Sequence, residues 1–282
     1  MTSITFVGIG AIGLPMAAQL VRAGHSVAGV DPTPVAAERG STVGVSVVPA
    51  ITDAKRTEIV IAMVATPDQL DTLVSQAGTS VSGQTWVIMS TVGPESVVAQ
   101  AARLTSAGAR VVDAPVTGGV ARATTGELVI FLSGEPSTVE SVTPLLESFG
   151  TVRVVGSRVG DGQSVKVVNQ HLCSVHIVAA AEALSLAASL GLDQTEVLDL
   201  IGGGAAGSWM LADRGPRMLE DEPQVTSTVN IFVKDSGLVA SSAATSGAEV
   251  PLLAVAQARY AEAAALGLGQ SDDSQVIATY RR

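Results

Sequence analysis

The feature that most constrains the fold is a glycine-rich turn between an apolar run and a helical pattern near the start of the chain. Residues 4–10, ITFVGIG, are β-branched and apolar, which predicts a buried strand, and the helical pattern that follows ends at Gly24. Between them, Gly8, Gly10 and Gly13 have the spacing of a dinucleotide-binding turn, in which glycines allow the turn, the approach of a pyrophosphate and close helix packing. The alternative is a tight strand-to-helix turn that binds nothing.

An acidic residue follows the second predicted strand. That strand is SVAGV at 26–30, and it ends on Asp31, where a carboxylate can accept hydrogen bonds from an adenosine ribose. Its charge would repel the 2′-phosphate of NADP, and the next three residues, PTP, offer no cation to bind that phosphate. We therefore predict NAD rather than NADP. The alternative is an aspartate that only opens the DPTP turn.

Strand-like and helical patterns alternate through the first half of the chain. Further apolar strand-like runs occupy 57–65, 85–90, 109–116, 127–134 and 152–156, and helical patterns occupy 96–108 and 137–150. Alternation of this kind predicts an α/β fold with a doubly wound parallel sheet.

The strand pattern stops after about Gly160. One long alanine-rich helical pattern runs from Ser164 to Leu190, and further helical segments follow at 193–201, 208–219, 226–245, 251–266 and 272–280. We therefore predict an N-terminal Rossmann NAD-binding domain at 1–158 and a C-terminal all-α substrate and dimerisation domain at 159–282, joined by the long helix.

Composition excludes several classes of partner. The net charge of −10 argues against nucleic acid, which needs a basic face, and aromatic residues make up only 3% of the chain. Hydrophobic residues reach 47%, yet the most apolar stretch, 175–190, contains His176 and Glu182 and falls short of the ~20 apolar residues of a membrane span. The N-terminus has no basic leader. We predict a cytoplasmic protein that binds no membrane.

Metal and disulfide chemistry have little support in the sequence. Cys173 is the only cysteine, so no internal disulfide can form. His171 and His176 do not have the spacing that places two ligands on one helix face, and no carboxylate completes a set. We predict no metal site.

Two motifs predict a place for a small anion. Thr117, Gly118 and Gly119 follow a strand, and consecutive glycines after a hydroxyl residue expose backbone N–H groups that can hold a carboxylate. The alternative is an ordinary turn. On the long helix, Lys166 and Asn169 lie at i and i+3 and share one face, which is typical of a ligand site in a cleft between domains. The alternative is a lysine that extends from a half-buried helix to solvent.

The choice of lysine matters because the chain has only three lysines among its 16 basic residues. An ammonium can lose its proton when it is desolvated, whereas a guanidinium effectively cannot. Lys166 lies between two valines, which favours acid/base chemistry. Lys234, followed by Asp235, also comes after an apolar run; the alternative there is a surface ion pair.

Taken together, these motifs resemble the β-hydroxyacid dehydrogenase family. The resemblance covers essentially the whole chain and rests on four motifs in the family's order: FVGIGAIGLPMA (6–17), DAPVTGG (113–119), GDGQSVKVVNQ (160–170) and FVKDSGLV (232–239). It implies a catalytic lysine at Lys166, and burial together with the cationic nicotinamide would lower the pKa of that lysine from its usual ~10.4 so that it can act as a base.

The resemblance also implies the other site residues. Thr117, Gly118, Gly119, Asn169 and Lys234 would bind the substrate, and the cofactor would contact Gly8, Gly10, Ala11, Ile12, Gly13, Asp31, Ala65, Thr66, Thr91, Lys234 and Asp235. The chain departs from the family at two positions. Threonine 117 stands where serine is common and keeps the hydroxyl, and Gln170 stands where a second asparagine is common, which leaves its role open.

Within the family, the segments at 176–188, 207–219, 230–239 and 269–280 look most like L-threonate dehydrogenases. The resemblance implies NAD-dependent oxidation at C2 of a four-carbon sugar acid, a small anionic hydroxy acid. The alternatives are a 3-hydroxyisobutyrate dehydrogenase, a tartronate semialdehyde (2-hydroxy-3-oxopropionate) reductase, and a non-catalytic NAD-binding sensor or scaffold. Imine reductases share the architecture but usually lack the lysine. The apolar faces of the helical half predict a homodimer or homotetramer.

Overall fold

The computed structural model describes residues 1–281, and the chain divides into two compact units, Met1–Lys166 and the part that begins at Val167. The first unit is a strand-and-helix domain and the second is helical. The predicted fold class, a Rossmann-like α/β domain followed by an all-α region, is confirmed.

The first unit contains one nine-stranded sheet. Its strands are β1 (Ser3–Val7), β2 (Ser26–Val30), β3 (Ser46–Val48), β4 (Ile59–Ala62), β5 (Thr85–Ile88), β6 (Arg110–Asp113), β7 (Val116–Thr117), β8 (Leu128–Gly134) and β9 (Gly150–Gly156). The order begins β3-β2-β1-β4-β5-β6, and all these neighbours are parallel. This is the order of a doubly wound dinucleotide-binding sheet, whose ligands bind beyond the carboxyl ends of the strands.

The prediction of a fully parallel sheet is wrong beyond β6. Strand β8 runs antiparallel to both β6 and β7, and β9 is parallel to β8. The run at 109–116 does not form one strand, because β6 ends at Asp113 and β7 begins only at Val116. A parallel return needs a crossover of a dozen or more residues, and the short connection from β7 to β8 cannot supply it.

Six helices connect the strands: α1 (Gly13–Arg22), α2 (Pro34–Thr42), α3 (Pro67–Ala77), α4 (Pro94–Ser106), α5 (Gly119–Thr125) and α6 (Pro136–Leu146). Four of them begin with proline, which has a helix-compatible φ and no N–H to leave unsatisfied. Side chains on alternate positions of each strand point to opposite faces, so Ile61 and Val87 belong to one hydrophobic cluster and Val60 and Trp86 to another.

The second unit is built on the long helix α7 (Asp161–Ser189), whose first turns belong to the first unit. It continues with α8 (Gln194–Gly202), α9 (Trp209–Met218), α10 (Val229–Ser246) and α11 (Pro251–Ala263), and it ends in a 3-10 helix at Asp273–Tyr280. Buried positions three or four apart on α7, such as Ile177, Ala181 and Leu184, pack in a core with Phe232 and Tyr260.

Within residues 1–281, α7 alone has the length and apolar composition to cross a membrane. Core helices of soluble proteins pass the same test, so this finding is weak evidence for a membrane. The helix also contains the buried polar side chains of Gln163, Lys166 and Gln170. The absence of a membrane stays a prediction.

Five charged side chains of the second unit form an ion-pair network. Arg214 donates from Nε and Nη2 to the two carboxylate oxygens of Asp273, at 2.9 and 2.8 Å, and its Nη1 pairs with Asp213. Arg217 pairs with Asp213 at 3.1 Å and with Asp272 at 3.2 Å. The network therefore ties α9 to the start of the C-terminal 3-10 helix.

Candidate active site

The glycine turn between β1 and α1 is shaped by direct backbone packing. Gly8 has φ of +95°, and a Cβ atom there would lie 2.3 Å from the carbonyl oxygen of Met63. A Cβ on Gly13 would lie 1.8 Å from the carbonyl oxygen of Gly8. At Gly10, in contrast, a Cβ would meet nothing within 4 Å. The protein itself requires glycine at 8 and 13, whereas the space above Gly10 is open to a ligand.

Asp31 is joined to this turn by hydrogen bonds. Its Oδ2 atom accepts the N–H of Ile9 at 3.0 Å, and Oδ1 accepts the N–H and the hydroxyl of Thr33 at 2.9 and 2.5 Å. The carboxylate is half-buried at the carboxyl end of β2. A carboxylate fixed beside the glycine turn fits the ribose of a dinucleotide, and the N–H groups of the turn and of the start of α1 fit its pyrophosphate.

Ala65 and Thr66 lie after β4, and local hydrogen bonds order both residues. The Thr66 hydroxyl accepts the N–H of Gln69, which caps α3, and the Gln69 side chain accepts the N–H of Ala65 at 2.8 Å. This reciprocal pattern resembles a capping box. It fixes the backbone at the carboxyl end of β4.

The predicted carboxylate loop lies where β7 gives way to α5. Gly118 and Gly119 have φ of +132° and +67°, a region that favours glycine. A Cβ on Gly118 would lie 2.9 Å from the side chain of Arg122, whereas one on Gly119 would meet nothing within 4 Å. The two glycines therefore give a backbone turn that other residues could not adopt without strain.

Lys166 lies on α7 and is 7% exposed. The first turn of this helix packs against a buried carboxylate, Asp113 at the end of β6, which is 0% exposed. Its Oδ2 atom accepts the N–H groups of Gly160 at 3.2 Å and Gln163 at 2.8 Å, and its Oδ1 accepts Nε2 of Gln163 at 2.9 Å. Burial raises the pKa of Asp113 to about 6, against these hydrogen bonds, which lower it.

The loop that contains Thr91 is bound to the same helical turn. Oε1 of Gln163 accepts the N–H groups of Val92 and Gly93, both at 3.0 Å, and Nε2 donates to the carbonyl of Ser90 at 2.9 Å. Thr91 lies between these bonded residues. The structure therefore connects two predicted site residues, Thr91 and Lys166, through a glutamine that the sequence prediction did not include.

In the second unit, the predicted residues form a polar chain across two helices. Nδ2 of Asn169 donates to Oε1 of Gln170 at 2.9 Å, and Nε2 of Gln170 donates to Oδ2 of Asp235 at 2.6 Å. Lys234 pairs with Oδ1 of Asp235 at 2.8 Å, and the side chain of Asp235 is only 5% exposed. The open question about Gln170 has an answer here: it joins α7 to α10.

Sequence reasoning missed Asp113, Gln163 and the role of Gln170. A signal for the glutamines was present, because Gln163, Lys166 and Gln170 recur at helical spacing on one buried face of an otherwise apolar helix. Asp113 had a weaker signal, a lone carboxylate at the end of a valine-rich run. Among the described residues 1–281, no three His, Cys, Asp or Glu side chains are grouped as metal ligands.

Two family models match this chain. Residues 3–160 match the family described as the NAD binding domain of 6-phosphogluconate dehydrogenase. Residues 160–280 match the family described as NAD-binding of NADP-dependent 3-hydroxyisobutyrate dehydrogenase. Together the two matches cover the glycine turn, the predicted carboxylate loop, Lys166 and the polar chain of the second unit.

Individual relatives align over nearly their full lengths. The L-threonate dehydrogenase of Cupriavidus necator is 35% identical over 98% of this chain and 95% of its own. The 2-hydroxy-3-oxopropionate reductase of Escherichia coli is 34% identical over 96% of this chain and 94% of its own. The crystal structure of a 3-hydroxyisobutyrate dehydrogenase from Salmonella typhimurium is 31% identical, with a TM-score of 0.92 over 99% of this chain and 100% of its own.

Proposed function

The chain belongs to the β-hydroxyacid dehydrogenase family, in its 3-hydroxyisobutyrate dehydrogenase-like branch, and is an NAD(P)-dependent hydroxyacid dehydrogenase, and on this premise we propose that it oxidises a four-carbon sugar acid such as L-threonate at C2 with NAD. The similarity to an L-threonate dehydrogenase over 98% of the chain supports this substrate class. The relatives are bacterial metabolic enzymes, which also supports a cytoplasmic location.

The first unit contains residues that fit the dinucleotide. The open space above Gly10 admits a pyrophosphate, and Gly8 and Gly13 keep the turn compact beneath it. Ala11 and Ile12 complete the turn, Ala65 and Thr66 border it after β4, and Thr91 would lie beside the nicotinamide. The cofactor, when it is bound, supplies the acceptor for the hydride that leaves the substrate carbon.

The preference for NAD rests on Asp31. Its carboxylate is fixed beside the glycine turn by Ile9 and Thr33 and can accept the hydroxyls of the adenosine ribose. The same negative charge would repel a 2′-phosphate at this position. The adjacent prolines on either side of Thr33 contribute no cation that would bind this phosphate.

Lys166 acts as the base. A lysine in a buried position can be neutral and accept the proton of the substrate hydroxyl as the hydride leaves the carbon that bears this hydroxyl, which an arginine cannot do. The single observation that carries this assignment is the near-complete burial of Lys166, which is 7% exposed. It lies on the helix that follows the carboxylate loop and the Thr91 loop in the chain.

The substrate carboxylate would bind the backbone of Thr117, Gly118 and Gly119. Asn169 would orient the carboxylate or the reacting hydroxyl, and its amide is already directed by Gln170. Lys234 would add positive potential, and Asp235, its ion-pair partner, holds the lysine in place. General acid/base help of the kind assigned to Lys166 typically contributes ~10²–10⁴-fold to the rate.

The test is the initial rate of NADH or NADPH formation by the purified protein. The panel contains L-threonate, D-threonate, D-erythronate, 3-hydroxyisobutyrate and D-glycerate, each with NAD and with NADP. We expect turnover of one four-carbon acid, with NAD preferred. Turnover only of 3-hydroxyisobutyrate or glycerate would retain the dehydrogenase and remove the four-carbon substrate, and faster rates with NADP would overturn the role of Asp31.

A second candidate is reduction of 2-hydroxy-3-oxopropionate, because a reductase of this substrate is 34% identical to the chain. Consumption of NADH with tartronate semialdehyde, faster than any oxidation in the panel, would favour it. A protein that binds NAD and turns over none of these compounds would be a sensor or scaffold. The quaternary state, which we propose to be a homodimer or homotetramer, is measured by light scattering during gel filtration.

A further inference from the structure

Gln163 is a completely buried amide that uses its full hydrogen-bonding capacity. It is 0% exposed, its Oε1 accepts two backbone N–H groups and its Nε2 donates to two oxygens. A glutamine side chain has two acceptor sites and two donor hydrogens, so nothing is left unused. A buried group of this kind costs free energy if any partner is removed.

The orientation of this amide follows from its partners. Val92 and Gly93 present backbone N–H groups, which can only donate, so Oε1 of Gln163 must face them. The Nε2 group must then face the carbonyl of Ser90 and the carboxylate of Asp113. The amide cannot be flipped without placing donors against donors.

The first turn of α7 is held in the same arrangement through its backbone. Asp113 accepts the N–H groups of Gly160 and Gln163, and the hydroxyl of Ser133 accepts the N–H of Gly162 at 2.9 Å. A Cβ on Gly162 would lie 2.4 Å from the carbonyl oxygen of Phe131, so the turn lies directly against β8. We call Gln163, Asp113 and the loop Ser90–Gly93 the amide clamp.

The amide clamp joins the two places where the proposed reaction needs alignment. The hydrogen bonds from Gln163 to the loop lie on either side of Thr91, the residue expected beside the nicotinamide. On α7, Gln163 precedes Lys166 by one turn on the same buried face. Hydride and proton leave adjacent atoms of one substrate, so the acceptors of both must keep a fixed relation.

We propose that Gln163 is a positioning residue of this dehydrogenase, which sets the Thr91 loop and the Lys166 turn of α7 in the register that hydride and proton transfer require. The proposal rests on the proposed function of Lys166 as the base. Gln163 acts through its neighbours and does not itself exchange a proton with the substrate.

Two substitutions separate this role from a general loss of stability. Gln163→Met keeps the length and apolar stem but removes all four bonds. Gln163→Glu keeps the two acceptor contacts to Val92 and Gly93 and places an oxygen where Nε2 donated to Asp113 and Ser90. Gln84→Met is the matched control, because Gln84 is a buried glutamine, 7% exposed, that bonds Thr57 and Trp86 at the amino end of β5.

We expect Gln163→Met to lower kcat by about 10²-fold, the loss typical of a small misplacement of reacting groups, with little change in the KM for NAD. The ratio of the Gln163→Glu kcat to the wild-type kcat should rise as the pH falls, because a proton on the new carboxyl restores a donor toward Asp113 or Ser90, while protonation of Lys166 slows both proteins alike. The charged groups around this position are Asp113, Lys166 one turn later, and Asp161, which pairs with Arg158. Gln84→Met should keep the wild-type kcat.

Hydrogen exchange gives a readout that needs no substrate. The N–H groups of Val92 and Gly93 lose their acceptor in Gln163→Met, so a peptide covering 89–95 should exchange faster than in the wild type, and in Gln84→Met it should not. Unchanged exchange would overturn the amide clamp, and faster exchange with a wild-type kcat would overturn the positioning role.

The remaining outcomes also test the positioning role of Gln163. A Gln163→Glu pH profile parallel to that of the wild type would mean a merely structural glutamine and would overturn the proposal. An equal loss of kcat in Gln84→Met would do the same. If the wild type turns over no acid in the panel, the proposed function fails, and with it the positioning role, whereas faster exchange at 89–95 would still support the clamp itself.

Discussion

Two regions of the molecule bury a carboxylate completely, and they do so with opposite chemistry. In the ion-pair network, Asp273 is 0% exposed and receives two hydrogen bonds from the guanidinium of Arg214. In the amide clamp, Asp113 is also 0% exposed but receives hydrogen bonds only from neutral donors, among them Gln163 and Gly160. One buried charge is opposed by a charge, and the other is not.

The difference suits the ion-pair network to stability and the amide clamp to the proposed chemistry. A buried ion pair with bidentate geometry resists disruption because removing one partner strands the other charge. Burial raises the pKa of both carboxylates: that of Asp113, which only neutral donors oppose, reaches about 6, whereas at Asp273 the hydrogen bonds and the charge of Arg214 act against the rise. Perturbed groups of this kind concentrate at functional sites, and Asp113 contacts the helical turn that precedes Lys166.

The largest expected effect is a loss of turnover on substitution of Lys166, the proposed base. Lys166→Arg keeps a positive charge that cannot be lost, and Lys166→Met keeps burial without a proton acceptor. Both should lower kcat by ~10²–10⁴-fold, the range for general acid/base catalysis, while NAD binding is retained. Initial rates across pH and NADH fluorescence titrations measure the two quantities.

The matched control is Lys55→Arg, which changes an exposed lysine of the same unit. It should leave kcat at the wild-type value. If Lys166→Arg retains turnover close to the wild type, Lys166 is not the base, and the buried lysine belongs with the structural residues of the first unit.

The next largest effect should come from the ion-pair network, where a substitution should lower stability and leave kcat unchanged. Arg214→Met removes both hydrogen bonds to Asp273 and leaves a buried carboxylate without its cation. We expect the free energy of unfolding to fall by ~3–5 kcal/mol, the cost of breaking a buried pair. Urea unfolding followed by circular dichroism measures it, and kcat per folded molecule should not change.

Glu262→Gln provides the control in the same unit, because it breaks the exposed pair between Glu262 and Arg259. Its cost should stay within ~0–1 kcal/mol, as for most surface ion pairs. Equal losses in Arg214→Met and Glu262→Gln would show that the network contributes no more than a surface pair, and the contrast with the amide clamp would disappear.

The same contrast explains what the sequence could and could not predict. The glycine turn, Asp31 and the long helix depend on residues near one another in the chain, and their patterns predicted strand β2 at its observed bounds, 26–30. The short helix α2 and strand β3 were not predicted, because α2 buries only Ala36 and Gly40 and so has little periodic pattern.

The amide clamp could not be predicted from short stretches of the sequence. Gln163 bonds residues about 50 and 70 positions earlier in the chain, and nothing near Gln163 in the sequence indicates which backbone N–H groups it will meet. The antiparallel β8 was missed for a similar reason, since its pairing with β6 and β7 depends on a break at Ala114 and Pro115 inside an otherwise continuous apolar run.

The smallest expected effect tests Asp113 through pH, with Asp272 of the ion-pair network as the comparison. The folded pKa of Asp113 lies near 6, above the ordinary 3.8 of an unfolded aspartate, so between these values the folded state holds a proton that the unfolded state has lost. Stability from this group is therefore fully present below pH 4 and is lost as the pH rises through 6, by roughly 3 kcal/mol in total. Asp113→Asn removes this dependence, apart from a constant cost for one mismatched hydrogen bond.

The measurement is the difference in unfolding free energy between the parent and Asp113→Asn at a series of pH values from 4 to 7. Trp86 is buried in the first unit and the chain's other tryptophan, Trp209, lies in the second, so fluorescence in a Trp209→Phe background reports the first unit alone. The parent's advantage should shrink as the pH rises.

Asp272 lies in the second unit, so the unfolding of Asp272→Asn is followed by circular dichroism, and this variant should behave in the opposite way. Burial would raise the pKa of Asp272, but the N–H groups of Thr226 and Ser274 and the charge of Arg217 hold it below its ordinary value. The stability that this carboxylate contributes is therefore present above pH 4 and is lost only as the pH falls below that. From pH 4 to 7 the difference between the parent and Asp272→Asn should stay constant. A constant difference for Asp113→Asn as well would mean that both carboxylates are ionised throughout this range, and that the absence of a cation at Asp113 has no consequence near neutral pH.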